Sequence, residues 1–160
     1  MEHRSSPNRR RLVIAAVLLG IGLGGFFDGI VLHQILQWHH MVSTPRPPDS
    51  LETLELNTLG DGIFHAATWV VTLAGVFVLA SSDGARSAAG GSRTLAGGML
   101  AGWGAFNLVE GLVDHHLLNL HHVRPGPDEL LYDLGFLAWG ALMLAVGVVL
   151  LRTGATEASA

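Results

Sequence analysis

Four long apolar stretches alternate with short polar connections along the chain. A helix that crosses a bilayer needs roughly 20 predominantly apolar residues, and each stretch meets that length. The pattern therefore predicts membrane spans at about residues 12–38, 58–80, 94–120 and 130–151. In the first polar connection, Ser50 is a predicted N-cap, which suggests a short interfacial helix before the second span.

The apolar stretches predict an all-α membrane protein, a four-helix transmembrane bundle in one domain covering residues 1–160. Composition agrees, because 49% of the 160 residues are hydrophobic and only 14% are charged. The three arginines at 9–11 resemble the start of a signal peptide. The apolar run after them is too long for a signal peptide, and no small-residue cleavage site follows it. We therefore expect an uncleaved span.

The arginines also predict the orientation of the chain. With the N-terminus inside, seven arginines are cytoplasmic and only Arg46 and Arg124 lie outside. The cytoplasmic set is Arg4, Arg9, Arg10, Arg11, Arg86, Arg93 and Arg152. Because positive residues concentrate on the cytoplasmic side of membrane proteins, both termini are predicted to be cytoplasmic.

Two segments of the chain repeat one polar pattern at an offset of 82 residues. "DGIVLHQILQWHH" begins at Asp28 and "EGLVDHHLLNLHH" begins at Glu110. The second and fourth spans align less closely, at an offset of 72, which pairs Asp61 with Asp133. The alignment therefore predicts two tandem helical hairpins, residues 12–80 and 94–151, inserted into the membrane in the same orientation. Such parallel repeats predict a pseudo-twofold axis along the membrane normal.

Glycines at four-residue spacing occur in the first and third spans. Gly20 and Gly24 form one pair, and Gly98 and Gly102 form another. Small residues at this spacing allow helix backbones to approach closely in a membrane. Glycine is also frequent in membrane helices generally, so the spacing alone leaves both explanations open.

The polar residues of the spans fall on one side of each helix and in one half of the membrane. At 100° per residue, the histidines and carboxylates of the first and third spans occupy an arc of about 140°, and only His116 points away. The rise per residue places His33, His65 and His115 at one depth, below the two histidine pairs at 39–40 and 121–122. The doublets sit near the interface, where their polar tips can also simply reach water. The acidic residues are harder to explain in that way, because a lone carboxylate in lipid costs several kcal/mol.

Imidazoles and carboxylates without thiolates are the ligands of copper, iron, zinc or manganese, and the chain has no cysteine. Copper, iron or zinc is the expected cofactor. The predicted ligands are His33, His65, His115, Asp28, Glu110, Asp61, Asp133, His40 and His122. The secondary candidates are His39, His121, Asp114, Gln37 and Asn119. Metal–nitrogen bonds near 2 Å cannot span about 10 Å of depth, so the pattern predicts a dinuclear site or two separate sites.

Three functions are compatible with these residues. A mononuclear or dinuclear metal centre would serve redox chemistry, or would hold metal for another membrane enzyme. The descending series from His40 to Asp28 could instead conduct protons or metal ions, although the cytoplasmic halves of the spans carry no ionisable group to continue it. Paired histidines could also ligate haem for electron transfer. The expected partners are the lipid bilayer, a metal ion, and either another membrane redox enzyme or a second copy of the chain. The net charge of −4 and the absence of lysine argue against nucleic acid.

The segments "GFFDGIVLHQILQWHH" and "NLVEGLVDHHLLNLHHVR" resemble those of a family of small bacterial four-span membrane proteins of unknown function. The resemblance extends from about Leu12 to Leu150. It implies a multi-pass protein of the bacterial plasma membrane and no particular activity.

Overall fold

The computed structural model describes residues 7–82 and 84–158, and this part of the chain forms helices and loops without strands. Helix α1 (Pro7–Phe27) continues directly into a π-helical segment at Asp28–Ile35. Helix α2 (Leu51–Ala80) runs back, and α3 (Gly91–Glu110) continues into a second π-helical segment at Gly111–Leu117. Helix α4 (Glu129–Glu157) completes the fold. The all-helical prediction is confirmed for the described residues.

Three of the helices are long and apolar enough to cross a membrane. They cover Pro7–Ile35, Leu51–Ala80 and Glu129–Glu157. Helix α3 does not reach the same hydropathy, because it is rich in glycine and carries Asn107 and Glu110, both buried. The fourth span thus stays a prediction.

The helix boundaries differ from the predicted spans at the polar ends of α1 and α3. The helical segments end at Ile35 and Leu117 rather than at 38 and 120. Gln37 and Asn119 each have a φ of 50°, a left-handed conformation that turns the chain away from the helix axis. Ser50 is the N-cap of α2, as predicted, and accepts a hydrogen bond from the Thr53 amide. The segment after Ser50 is continuous with α2 instead of forming a separate interfacial helix.

The helices pack in the order α2–α1–α3–α4, so that α1 and α3 lie at the centre. No other pair of these helices makes extensive contact within the described residues. The four helices therefore form an open row in which each helix packs against its neighbours in the order given. The outer helices expose large apolar side chains, among them Phe77 of α2 and Leu131 of α4.

Glycine allows the central helices to touch backbone to backbone. A Cβ atom at Gly20 would overlap the carbonyl of Met99, and one at Gly102 would overlap the carbonyl of Val17. A Cβ at Gly147 of α4 would likewise overlap the backbone of Ala101. These contacts favour the packing explanation for the spaced glycines.

The arginine-rich end lies opposite the histidines. Arg9 donates a hydrogen bond to the Leu151 carbonyl, Arg11 donates to the Ser81 carbonyl, and Arg93 pairs with Glu157. Arg4, which contributes to the predicted orientation, lies outside the described residues. The positive end and the histidine end of the molecule are therefore separated by the length of the helices.

Candidate metal centre

The two π-helical segments bring a carboxylate and a histidine five residues apart onto one face. In an α-helix, residues five apart differ by about 140° in direction. A π-helix bonds residue i to residue i+5, so this separation places side chains almost above one another. His33 Nε2 lies 3.0 Å from Asp28 Oδ2, and His115 Nε2 lies 3.8 Å from Glu110 Oε1. The α-helical angles used for the sequence prediction do not apply here.

Aspartates from the outer helices approach the other nitrogen of these two rings. His33 Nδ1 donates to Asp61 Oδ1 at 2.8 Å, which fixes the tautomer of the ring and directs Nε2 inward. His115 Nδ1 lies 3.4 Å from Asp133 Oδ1, a longer approach that is not a hydrogen bond. A carboxylate behind a histidine is the usual support for a metal ligand.

His39 and His121 lie at the centre of the cluster, where their rings stack in parallel. The left-handed turns at Gln37 and Asn119 fold the chain back and carry these rings inward. The ring centroids are 4.6 Å apart at an interplanar angle of 6°, and the exposed fractions are 2% and 0%. His39 Nδ1 donates to the Val123 carbonyl at 2.8 Å. His121 Nδ1 donates to the Met41 carbonyl at 3.2 Å. Each half of the chain therefore orients a histidine of the other half.

These hydrogen bonds leave a set of buried oxygen and nitrogen atoms that could act as metal ligands and that have no hydrogen-bond partner among the described residues. Asp28 Oδ1 and Oδ2, Glu110 Oε2, and Nε2 of three histidines are buried without a hydrogen bond in the described part of the chain. The three histidines are His33, His39 and His115. Nε2 of His121 lies 3.3 Å from Glu110 Oε1. The proton of the neutral His121 ring is on Nδ1, so His121 Nε2 and Glu110 Oε1 are both acceptors. A cation or a further proton is therefore needed between these two atoms.

Potential ligand atoms of the cluster form three overlapping groups whose members lie within 4.8 Å of one another. The groups are His33 with His39 and His121, Glu110 with His115 and His121, and Asp28 with His39 and Glu110. All six residues are buried. The ion pairs of Asp28 and Glu110 within the described residues involve only histidine rings, so no arginine compensates their charge.

Burial keeps the two central rings neutral. It lowers the pKa of His39 from its ordinary value of 6.5 to about 4 and that of His121 to about 2. Both rings lie in the loops that follow the helices. A neutral imidazole is the form that binds a metal ion, so both rings have the required protonation state at pH 7.

The remaining predicted ligands lie around this centre. Asp61 and Asp133 each accept a hydrogen bond from the outer histidine of a doublet, His40 at 2.7 Å and His122 at 2.6 Å. His65 donates to the Asp61 carbonyl at 2.7 Å. It is not part of the three groups. Asp114 is half-buried, whereas Gln37, Asn119 and His116 are exposed. The structure thus brings together His33, His115, Asp28 and Glu110 of the primary set with His39 and His121 of the secondary set.

The comparisons with known proteins agree with the membrane assignment. A family described as "Predicted membrane protein (DUF2243)" matches residues 15–154. The chain belongs to this family. The match confirms the resemblance to a membrane protein family of unknown function, and its description names no activity. A search of curated proteins and a search of solved structures found no match.

Proposed function

We propose that this protein is an integral membrane metalloprotein whose buried His/carboxylate cluster holds two transition-metal ions. The observation that carries the proposal is the set of buried potential ligand atoms on His33, His39, His115, Asp28 and Glu110 that form no hydrogen bond in the described part of the chain. Buried polar atoms normally have partners, and each one without a partner costs about 1–3 kcal/mol. A metal ion would satisfy several of them together.

Charge supports the same conclusion. Oxygens of Asp28 and Glu110 lie within 4.8 Å of each other and of a His39 nitrogen. Two buried carboxylates at this distance repel each other unless a proton or a cation lies between them. Divalent ions would neutralise the pair and use the neutral imidazoles as additional ligands.

The extent of the cluster favours two ions over one. Opposite ligands of a single six-coordinate ion with bonds near 2.1 Å lie about 4.2 Å apart. The six donor residues are not all within 4.8 Å of one another and instead share members between overlapping groups. His39, His121 and Glu110 each belong to two groups, so they are the residues that two neighbouring ions would share. Iron, copper or zinc fits this donor set.

We further propose that the two halves are tandem copies related by a pseudo-twofold axis along the membrane normal. Paired ring distances support this: His33–His39 is 4.4 Å and His115–His121 is 4.9 Å, at interplanar angles of 71° in both cases. With the arginine-rich end in the cytoplasm, the metal ions lie in the outer half of a bacterial plasma membrane. There they serve redox chemistry or supply metal to another membrane enzyme.

The decisive experiment is elemental analysis of the protein purified without chelators. We expect about two iron, copper or zinc ions per chain. His33→Ala and His115→Ala should lose most of the metal. His116→Ala is the matched control and should retain it, because its side chain is exposed. Metal-free wild-type protein, or equal metal content in all three variants, would refute the proposal.

Conduction and haem binding are the competing functions. A conduction path needs ionisable groups through the cytoplasmic half, and α1 between Leu12 and Phe27 has none. Haem needs space between its axial ligands, whereas His39 and His121 stack directly on each other at 4.6 Å. Metal-free protein that transports protons or metal ions in vesicles would establish conduction, and a haem absorption spectrum would establish haem binding.

A further inference from the structure

A pocket of about 290 Å³ opens beside the candidate metal centre, between α1, α3 and α4. Five of its twelve lining residues are aromatic: Phe27, Trp103, Tyr132, Phe136 and Trp139. The exposed fractions of Phe27 and Trp139 are 48% and 55%, so the pocket opens on the apolar side of the helices rather than at a polar end. A molecule dissolved in the bilayer can reach it.

Two polar residues interrupt this apolar wall. Asp28 and Asn107 both line the pocket, and each is only 2% exposed. Asn107 Oδ1 and both Asp28 oxygens have no hydrogen-bond partner in the described part of the chain. Carboxylate and amide oxygens accept hydrogen bonds, so the Asn107 oxygen, and an Asp28 oxygen that the proposed metal ions leave free, can each take a hydrogen bond from a donor group.

We infer that the pocket binds a lipophilic phenol, a class that includes hydroquinones, with its hydroxyl donating to Asp28 or Asn107. The aromatic wall packs against the ring, because aromatic pairs favour stacked and edge-to-face contacts. One Asp28 oxygen lies 3.0 Å from His33 Nε2, which places the hydroxyl directly beside the metal centre. The inference deepens the proposed function, because it names the substrate class of that centre.

The test uses 4-hexylphenol as the probe and 4-hexylanisole as its matched control. The two molecules share ring and chain, but the anisole has no hydroxyl to donate. Binding is measured by isothermal titration calorimetry on the protein in lipid nanodiscs, with empty nanodiscs to subtract partitioning into lipid. We expect one saturable site for the phenol and about tenfold weaker binding of the anisole, the effect of one hydrogen bond to a buried carboxylate.

Two glycine variants locate the binding site. Gly135 lines the pocket, and a Cβ there would meet nothing within 4 Å, so Gly135→Leu fills the pocket without disturbing helix packing. Gly62 of α2 has the same open surroundings outside this pocket, and Gly62→Leu is the matched control. Gly135→Leu should abolish saturable binding of 4-hexylphenol, and Gly62→Leu should retain it.

Elemental analysis of the same samples separates this inference from the proposed function. Metal-loaded protein without saturable phenol binding, with equal affinity for phenol and anisole, or with binding retained in Gly135→Leu overturns the pocket assignment and leaves the metal centre standing. Metal-free protein that binds the phenol selectively, and loses it in Gly135→Leu, supports the pocket and refutes the metal centre.

Discussion

The two halves of the histidine cluster share one layout but differ in how firmly the first histidine of each is held. In the first half, His33 lies 2.8 Å from Asp61 and 3.0 Å from Asp28. In the second half, His115 lies 3.4 Å from Asp133 and 3.8 Å from Glu110. Among the described residues, neither nitrogen of His115 has a hydrogen-bond partner, whereas Nδ1 of His33 has one.

Two residue differences explain the contrast. Gln34 donates to Asp61 at 3.0 Å and helps to fix that carboxylate, whereas the matching position in the second half is His116, which is exposed. Glu110 has one methylene more than Asp28, and its carboxylate reaches His121 at 3.3 Å instead of its own π-helical partner. The first half is therefore the more firmly ordered of the two, and under the proposed metal binding the second half would have to adjust more when an ion binds.

The largest expected effect is a difference in metal affinity between variants of the inner and the outer histidine of each doublet. His39→Ala and His121→Ala should each weaken metal binding more than about 100-fold, because supporting residues alone already cost 10–100-fold and these two rings are central donors. His40→Ala and His122→Ala should cost only about tenfold, since these rings contact the supporting aspartates. Metal affinity is measured by chelator competition. If His40→Ala lowers the metal affinity as much as His39→Ala does, the ions bind outside the central ring pair.

An intermediate effect compares the supporting aspartates. Asp61→Asn should weaken metal binding by up to about 100-fold and Asp133→Asn by about tenfold. The reason is that Asp61 accepts a hydrogen bond from His33, whereas Asp133 lies 3.4 Å from His115. The same chelator competition gives both values. If Asp133→Asn weakens metal binding as much as Asp61→Asn does, the two halves are equally preorganised.

The smallest expected effect concerns the glycine that follows each inward carboxylate. A Cβ at Gly29 would lie 2.6 Å from His65 Nε2, and one at Gly111 would lie 2.8 Å from the flexible end of Leu137. The His65 ring is held by its hydrogen bond to the Asp61 carbonyl and cannot easily move away from an added methyl group. Gly29→Ala should therefore lower the free energy of unfolding about 1 kcal/mol more than Gly111→Ala does. Denaturant unfolding in detergent measures both variants. The double variant Gly29→Ala, His65→Ala should recover the difference if the clash with His65 is its cause.

Much of the helical framework is predictable because it depends on local composition. The apolar runs locate α1, α2 and α4, and Ser50 marks the start of α2 as expected. The spacing of Asp28 from His33, repeated in Glu110 and His115, also indicates which segments carry the site. These signals are carried by the residues themselves.

The arrangement of the inner ligands depends on backbone geometry that composition does not encode. A constant 100° per residue placed His39 and His121 above the other histidines, while the π-helical segments and the left-handed residues Gln37 and Asn119 turn them inward. His65 is predicted as a ligand together with His33 and His115, but its Nδ1 donates to a carbonyl of its own helix and it belongs to none of the three ligand groups. The first outcome depends on local backbone conformation and the second on a hydrogen bond within one helical turn, and neither follows from the spacing of residues along an ideal α-helix.

The two hydrogen bonds that cross between the halves determine when the centre can form during biogenesis. His39 needs the carbonyl of Val123, and His121 needs the carbonyl of Met41, so each bond joins residues 80 or more positions apart. A nascent chain that has inserted only its first two helices contains His33 and His39. It still lacks Val123, whose carbonyl orients His39, and His121, whose ring stacks on His39. The proposed metal loading would therefore follow synthesis and insertion of the second hairpin, and a chain interrupted before residue 123 would leave the ribosome without an assembled cluster.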